Sequence, residues 1–180
     1  MKTTSKTMIT VSVCESNPFS QKSYDDLMEH VEPCLLSCTC GCSGSFIRYG
    51  SYRRHVKADG IKFPLQIQRV LCRNCGRSHA LLPSSLVPYS QIPLKDQAAV
   101  AEAYEDGTEP SAVLENNPEL DSRTPFKLIR IYLSFWRERL RAERIPLRPL
   151  ASLPGKCLSL FGKQFMQIKS TPNIFFSPPT

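Results

Sequence analysis

The 180-residue chain has no apolar run near the ~18 residues needed to span a bilayer, and Met1–Ser12 lacks an apolar core of signal-peptide length. Export and membrane insertion are therefore not expected, and the predicted compartment is the cytoplasm. No aspartate or glutamate occurs beyond Glu143. The phosphate-binding loop G-x-x-x-x-G-K, the nucleophile elbow G-x-S-x-G and the zinc-protease pair H-E-x-x-H are all missing. Only three histidines are present, and none neighbours Cys157 in sequence as a base would. These absences predict a protein that is not an enzyme.

Cysteine is what the chain has. Five of its eight cysteines fall in two short clusters, Cys38-Thr-Cys40-Gly41-Cys42 and Cys72-Arg-Asn-Cys75-Gly76. Thiols one or two residues apart are poorly placed for disulfides but well placed to offer two thiolates to one ion. Two such pairs about thirty residues apart can close a tetrahedral zinc site of the ribbon kind, and a domain with so little core needs such a staple. The predicted ligands are Cys38, Cys40, Cys72 and Cys75, with glycine after each second ligand. The first cluster is irregular, because Ser37 stands where a C-x-x-C spacing would put cysteine, and Cys42 stays open as a replacement. Cys14, Cys34 and Cys157 read as buried or spare thiols. His79 could be a ligand, but four thiols already suffice, so it reads as a surface or phosphate-contacting residue.

Between the clusters, Phe46–Val56 and Phe63–Leu71 read as strands joined by a turn at Asp59-Gly60. On the second strand Leu65, Ile67, Arg69 and Leu71 share one face. A third strand follows at Ser78–Leu82. Before the ribbon, Met8–Val13 reads as a short strand and Ser20–Val31 as a helix with Tyr24, Leu27, Met28 and Val31 on one face, closed by Pro33. After it, Pro83, Pro88 and Pro93 suggest an extended connector.

Three helices are then expected. Leu94–Tyr104 ends at Asp106-Gly107, and Pro110–Asn116 stops at Asn117-Pro118. A long helix, capped by Thr124 with Pro125 at its first position, runs to about Arg144. Phe126, Ile129, Tyr132, Leu133, Trp136 and Leu140 form its apolar stripe, with Lys127, Arg130, Ser134, Arg137 and Arg141 beside it. That order is a helix-turn-helix arrangement, although a bundle with a basic solvent face gives the same pattern. The tail carries a short helix near Leu158–Ile168, and its Phe161, Phe165, Phe175 and Phe176 read as packing groups.

The fold class is thus α+β, a small three-stranded zinc ribbon followed by a three-helix helix-turn-helix-like unit. The expected divisions are a lead-in element (1–33), the ribbon (34–90), the helical domain (91–145) and a C-terminal extension (146–180).

Charge follows these divisions. Residues 46–80 hold eight lysines and arginines against Asp59 alone, and 123–148 hold eight against Glu138 and Glu143. Residues 94–122 reverse the sign, with Lys95 against eight carboxylates. Two basic blocks suggest two phosphate-facing surfaces. The predicted DNA contacts are Arg48, Arg53, Arg54, Arg69, Arg73 and Arg77 on the hairpin. On the last helix, Lys127, Arg130 and Ser134, with Arg123 beside them, are expected to face bases, and Arg137 and Arg141 phosphate.

The stretches C-x-C-G-C-S-G-S-F-I-R-Y-G-S-Y-R-R and I-Q-R-V-L-C-R-N-C-G-R-S-H-A-L-L-P resemble the zinc-ribbon domain at the front of many bacterial insertion-sequence transposases. They are most similar to short bacterial proteins that carry that ribbon with a helix-turn-helix behind it. The resemblance is specific over about 38–90 and looser over 93–142. It implies a zinc-binding module that contacts double-stranded DNA and belongs to mobile elements, with a protein of that machinery as a further partner. An RNase H-like transposase core needs spaced carboxylates to hold two metal ions. With none after Glu143, a regulator or accessory is expected. The alternative is a protein-interaction module that grips its partner with the ribbon and the acidic helices.

Overall fold

The computed structural model describes residues 7–12, 20–58, 60–116 and 120–167. Its strands are β1 (Thr7–Val11), β2 (Phe46–Ala58), β3 (Ile61–Cys72) and β4 (Ser78–Pro83). Its helices are α1 (Gln21–Glu29), α2 (Leu94–Glu105), α3 (Pro110–Asn116), α4 (Thr124–Phe135), α5 (Arg137–Ala142) and α6 (Leu153–Phe161). The class is mixed α+β. Two compact units form, one built on the four strands and α1, the other on α2 to α6, with the hairpin tip at 57–62 grouped with the second.

In the first unit the sheet has four strands, in the order β1-β4-β3-β2. The expected ribbon supplies the antiparallel part, with Val70 opposite His79 and Leu71 opposite Ser78. The fourth strand comes from the lead-in, where β1 pairs parallel to β4 with Ile9 opposite Leu81. Ser78 to Leu82 are consequently buried in succession, as expected of a strand covered on both faces. The lead-in is therefore part of the sheet's unit. Val13, at the end of the predicted strand, lies outside the described residues, as do Cys14 and Asp59.

β3 does not keep one face inward. Leu65 and Ile67 are buried, but the inward set then shifts to Val70 and Cys72, leaving Arg69 and Leu71 half-buried. α1 packs at this change of phase. Its Ser20 cap accepts the Ser23 N–H at 3.0 Å, and Tyr24 and Met28, four apart, are buried. Gln21 meets the Gln66 backbone like a neighbouring strand, accepting its N–H at 2.7 Å and donating to its carbonyl at 3.4 Å. At the other end the Arg48 guanidinium donates to the Met28 carbonyl at 3.2 Å, where a cation suits the carbonyl-rich end of a helix. Pro33 opens a 3-10 turn, Pro33–Leu35.

The second unit closes around Trp136, which is fully buried between Phe165 (5.2 Å between ring centroids) and Phe161 (5.8 Å). The single long helix expected over 124–144 is two helices that bend at Trp136, where φ is −119°. Backbone bonding persists through the bend, from the Trp136 N–H to Tyr132 and from the Leu140 N–H to Trp136, both at 2.8 Å. Thr124 is the first helical residue and not the cap, and the Asp121 carboxylate takes the Arg123 N–H at 3.1 Å. Asn117 and Pro118, the predicted stop of α3, lie outside the described residues.

Two further expectations change here. Residues 85–93 are no extended connector, since Leu86 bridges Pro93 and Leu86, Val87 and Ile92 are buried. In the tail, Phe161 and Phe165 are packing groups as expected, and it is the helix bounds that change. Leu153, Cys157, Phe165 and Met166 fill the helical core, and the helix is Leu153–Phe161 instead of Leu158–Ile168. Ile168, Phe175 and Phe176 lie outside the described residues. Among the described residues no helix is long and apolar enough to cross a membrane.

Candidate metal centre and basic surfaces

Both cysteine clusters are tight turns, and they differ by one residue. In the second, the Gly76 N–H reaches back to the Cys72 carbonyl at 2.9 Å, with Gly76 at φ +68°. In the first, the Gly41 N–H bonds the Cys38 carbonyl at 3.0 Å, spanning one residue fewer, with Gly41 at φ +88°. The missing residue is the one that makes the spacing C-x-C. A Cβ on Gly41 would touch nothing within 4 Å, so the positive φ alone calls for glycine there. The first turn is held as a small hairpin by the Ser37–Ser43 bridge and the Cys38 N–H to Cys42 carbonyl bond (2.8 Å). The Arg73 N–H, bonded to the Ser45 carbonyl at 2.7 Å, ties the two turns together.

The sulfurs converge. Those of Cys38, Cys40, Cys42 and Cys72 all lie within 4.8 Å of one another. Cys75 joins them 3.6 Å from Cys38, and Cys40 lies 3.9 Å from Cys72. A tetrahedral tetrathiolate with metal–sulfur bonds of 2.3 Å has sulfurs ~3.8 Å apart, so these spacings suit a metal ion. Cys42 sits closer still, 3.1 Å from Cys72 and 3.3 Å from Cys40. The set in which every sulfur is near every other thus contains Cys42 and leaves out the predicted ligand Cys75, which approaches the set at Cys38.

The thiols share protons unequally. The Cys42 backbone N–H, and then its thiol, draw the Cys40 thiol down to about 5. Burial resists ionisation of Cys72, yet hydrogen bonds from the Cys42 thiol and the 74–75 backbone outweigh it and lower its value. The Cys72 and Cys40 thiols push Cys42 up. Cys75 rises to about 12, although the Arg77 backbone N–H pulls it down, because burial and the neighbouring thiols prevail. A bound cation would displace the remaining protons, so the donor set fits a thiophilic metal.

His79 is not on the surface. It is 1% exposed, its Nε2 lies 3.3 Å from the Cys38 sulfur, and its ring stands edge-on to Phe46 at 5.3 Å. Burial, with the charge of Arg77 adding to it, lowers the affinity of the imidazole for a proton. The signal was present in the apolar run Ala80-Leu81-Leu82, which marks a strand covered on both faces. Of the isolated cysteines, Cys157 is buried and Cys34 exposed.

The hairpin arginines divide. Arg48 is engaged with Gln68 and the end of α1, and Arg69 with Ser78 and the face of Tyr49 (5.8 Å). Arg54 is half-buried, and burial lowers its affinity for its proton. Arg53, Arg73 and Arg77 are exposed, Arg77 with a 3.3 Å bond to Thr39.

The helix divides likewise. Lys127, Arg130 and Ser134 are exposed, with no ion pair or side-chain hydrogen bond among the described residues. Arg137 and Arg141 are both held at 2.8 Å by Glu105, which also accepts from the Tyr132 hydroxyl at 3.2 Å. Phe126, expected in the core stripe, is 57% exposed, while Pro125 and Leu128 are buried in that stripe.

A family model described as a domain of unknown function (DUF6431) matches residues 38–117. The match begins at the first converging cysteine and takes in both turns, the arginine hairpin, α2 and α3. No curated protein and no solved structure matches the chain significantly. Over less than half of its length, the chain is similar to a family whose function is not described.

Proposed function

We propose that the chain is a zinc-binding, DNA-binding, non-catalytic protein related to the front end of a transposase, acting as a mobile-element accessory or regulator. The observation that carries the metal half is the meeting of both cysteine turns at one point, with sulfur spacings suited to a tetrahedral ion. An all-thiolate tetrahedral set favours Zn2+, which would act structurally by locking the two turns together. Cys38, Cys40, Cys72 and Cys75 would hold it.

The DNA half is supported by cations that enter no ion pair among the described residues, Arg53 and Arg73 on the hairpin unit and Lys127 and Arg130 on α4. Guanidinium groups held on a stiff scaffold suit phosphate oxygens. The protein-interaction alternative is weakened on its acidic side. Glu102, Glu105 and Asp106 are occupied by Arg148, Arg137 and Arg141 within the fold.

Metal analysis of protein purified without chelator should return about one zinc per chain, lost in Cys72→Ser. In a gel-shift salt titration on duplex DNA, affinity should fall steeply, with a log–log slope of about −3.6 to −5.4 for four to six phosphate contacts. Metal-free protein that stays folded after chelation sinks the zinc reading. Salt-independent or absent duplex binding sinks the DNA reading and leaves the interaction module in its place.

A further inference from the structure

Phe126, Arg130 and Ser134 recur at intervals of four along α4, with Arg123 just before the helix and Lys127 beside them, and all five are exposed. Side chains four apart lie one helical turn, ~6 Å, from each other on one face. The side chains of Arg123, Lys127 and Arg130 enter no ion pair among the described residues, and residues 122–137 contain no aspartate or glutamate. Phe126 is 57% exposed although its neighbours Pro125, Leu128 and Ile129 are buried. A phenyl ring left in water among three cations belongs neither to the core nor to an ordinary solvated face. The contrast with α5 is sharp, because there Arg137 and Arg141 are neutralised by Glu105.

We infer that this face enters the major groove of duplex DNA, with Phe126 against the 5-methyl group of a thymine and Arg130 reading a neighbouring guanine. The inference rests on the DNA-binding reading and adds the bases that are read. Thymine alone presents a methyl group in the major groove, and an apolar side chain recognises it by contact. Guanine presents two acceptors that match a guanidinium fork. Arg123 and Lys127 then meet the flanking phosphates, which fix register without reading sequence.

Selection of the zinc-loaded 180-residue chain on random duplexes should return a site with thymine close to guanine. Replacing that thymine by deoxyuridine removes only the methyl group. Wild-type affinity should fall about fourfold, the worth of one buried methyl-sized group. Phe126→Ala should bind the thymine duplex about as weakly and no longer distinguish the two, whereas Phe126→Leu should keep the preference. Arg130→Ala should lose the guanine preference. Sequence-specific binding without thymine–uracil discrimination, or discrimination that survives in Phe126→Ala, overturns the role of Phe126 and leaves DNA binding standing. Duplex affinity unchanged in Phe126→Ala marks the ring as a protein contact instead. Absence of any salt-sensitive duplex binding removes this inference together with the reading beneath it.

Discussion

The Nε2 of His79 lies 3.3 Å from the sulfur of Cys38, and both residues are buried. A thiolate taken out of water needs a donor, and an imidazole fixed edge-on to Phe46 is placed to be one. Outer-shell partners of this kind orient and stabilise metal ligands. His79→Ala should therefore weaken zinc binding ~10–100-fold in a competition with a chromophoric chelator. The Co2+-substituted protein should keep a four-thiolate charge-transfer band in both forms. A three-sulfur, one-nitrogen spectrum in the wild type would make His79 a ligand and refute the donor role.

Tyr24 bridges two strands. Its hydroxyl accepts the Gln68 N–H at 2.7 Å and donates to the Leu81 carbonyl at 3.1 Å. Tyr24→Phe keeps the ring but leaves both backbone groups without that partner. The expected loss is about 1–3 kcal/mol in denaturant unfolding of the holo protein. A change below ~0.5 kcal/mol would show that water replaces the hydroxyl.

Glu105 restrains two arginines. With Arg137 and Arg141 both on its carboxylate, neither is free for phosphate. Glu105→Gln should raise non-specific duplex affinity and steepen the salt slope by up to about two. Arg141→Ala in the wild-type background should leave the slope nearly unchanged. The reverse pattern would place the phosphate contacts on α5 after all.

Trp136 is the anchor of the helical unit. Trp136→Ala empties the space against Phe161 and Phe165 and should cost about 3–5 kcal/mol, with loss of helical circular dichroism near room temperature. Phe126→Ala, by contrast, should melt within a degree or two of wild type, since its ring is exposed.

The strands β2, β3 and β4 and the converging cysteines were legible because each rests on local chemistry: alternation, and thiols a residue or two apart. Non-local features were not. β1 is five residues long and pairs in parallel with a strand some seventy positions away, a partner that no local pattern names. His79 was misread because a histidine is polar by type, and only its flanking leucines showed the strand to be covered. Phe126 was assigned to the stripe by its 3.6-residue phase, but Pro125, one position earlier, takes that place, turning the ring outward. The bend at Trp136 follows tertiary packing, to which helical periodicity is blind.

Cys157 is sealed in the helical core, its thiol pushed up to about 12 by burial. A water-soluble thiol reagent should pass it by while the unit stays folded. Among the described residues outside the cluster, Cys34 alone then reacts at once, as a constant background. Cys14 lies outside the described residues, so the titration is made on Cys14→Ser; any further thiols that react there come from the cluster, and on the proposed zinc reading their number gauges how much of a preparation is without metal.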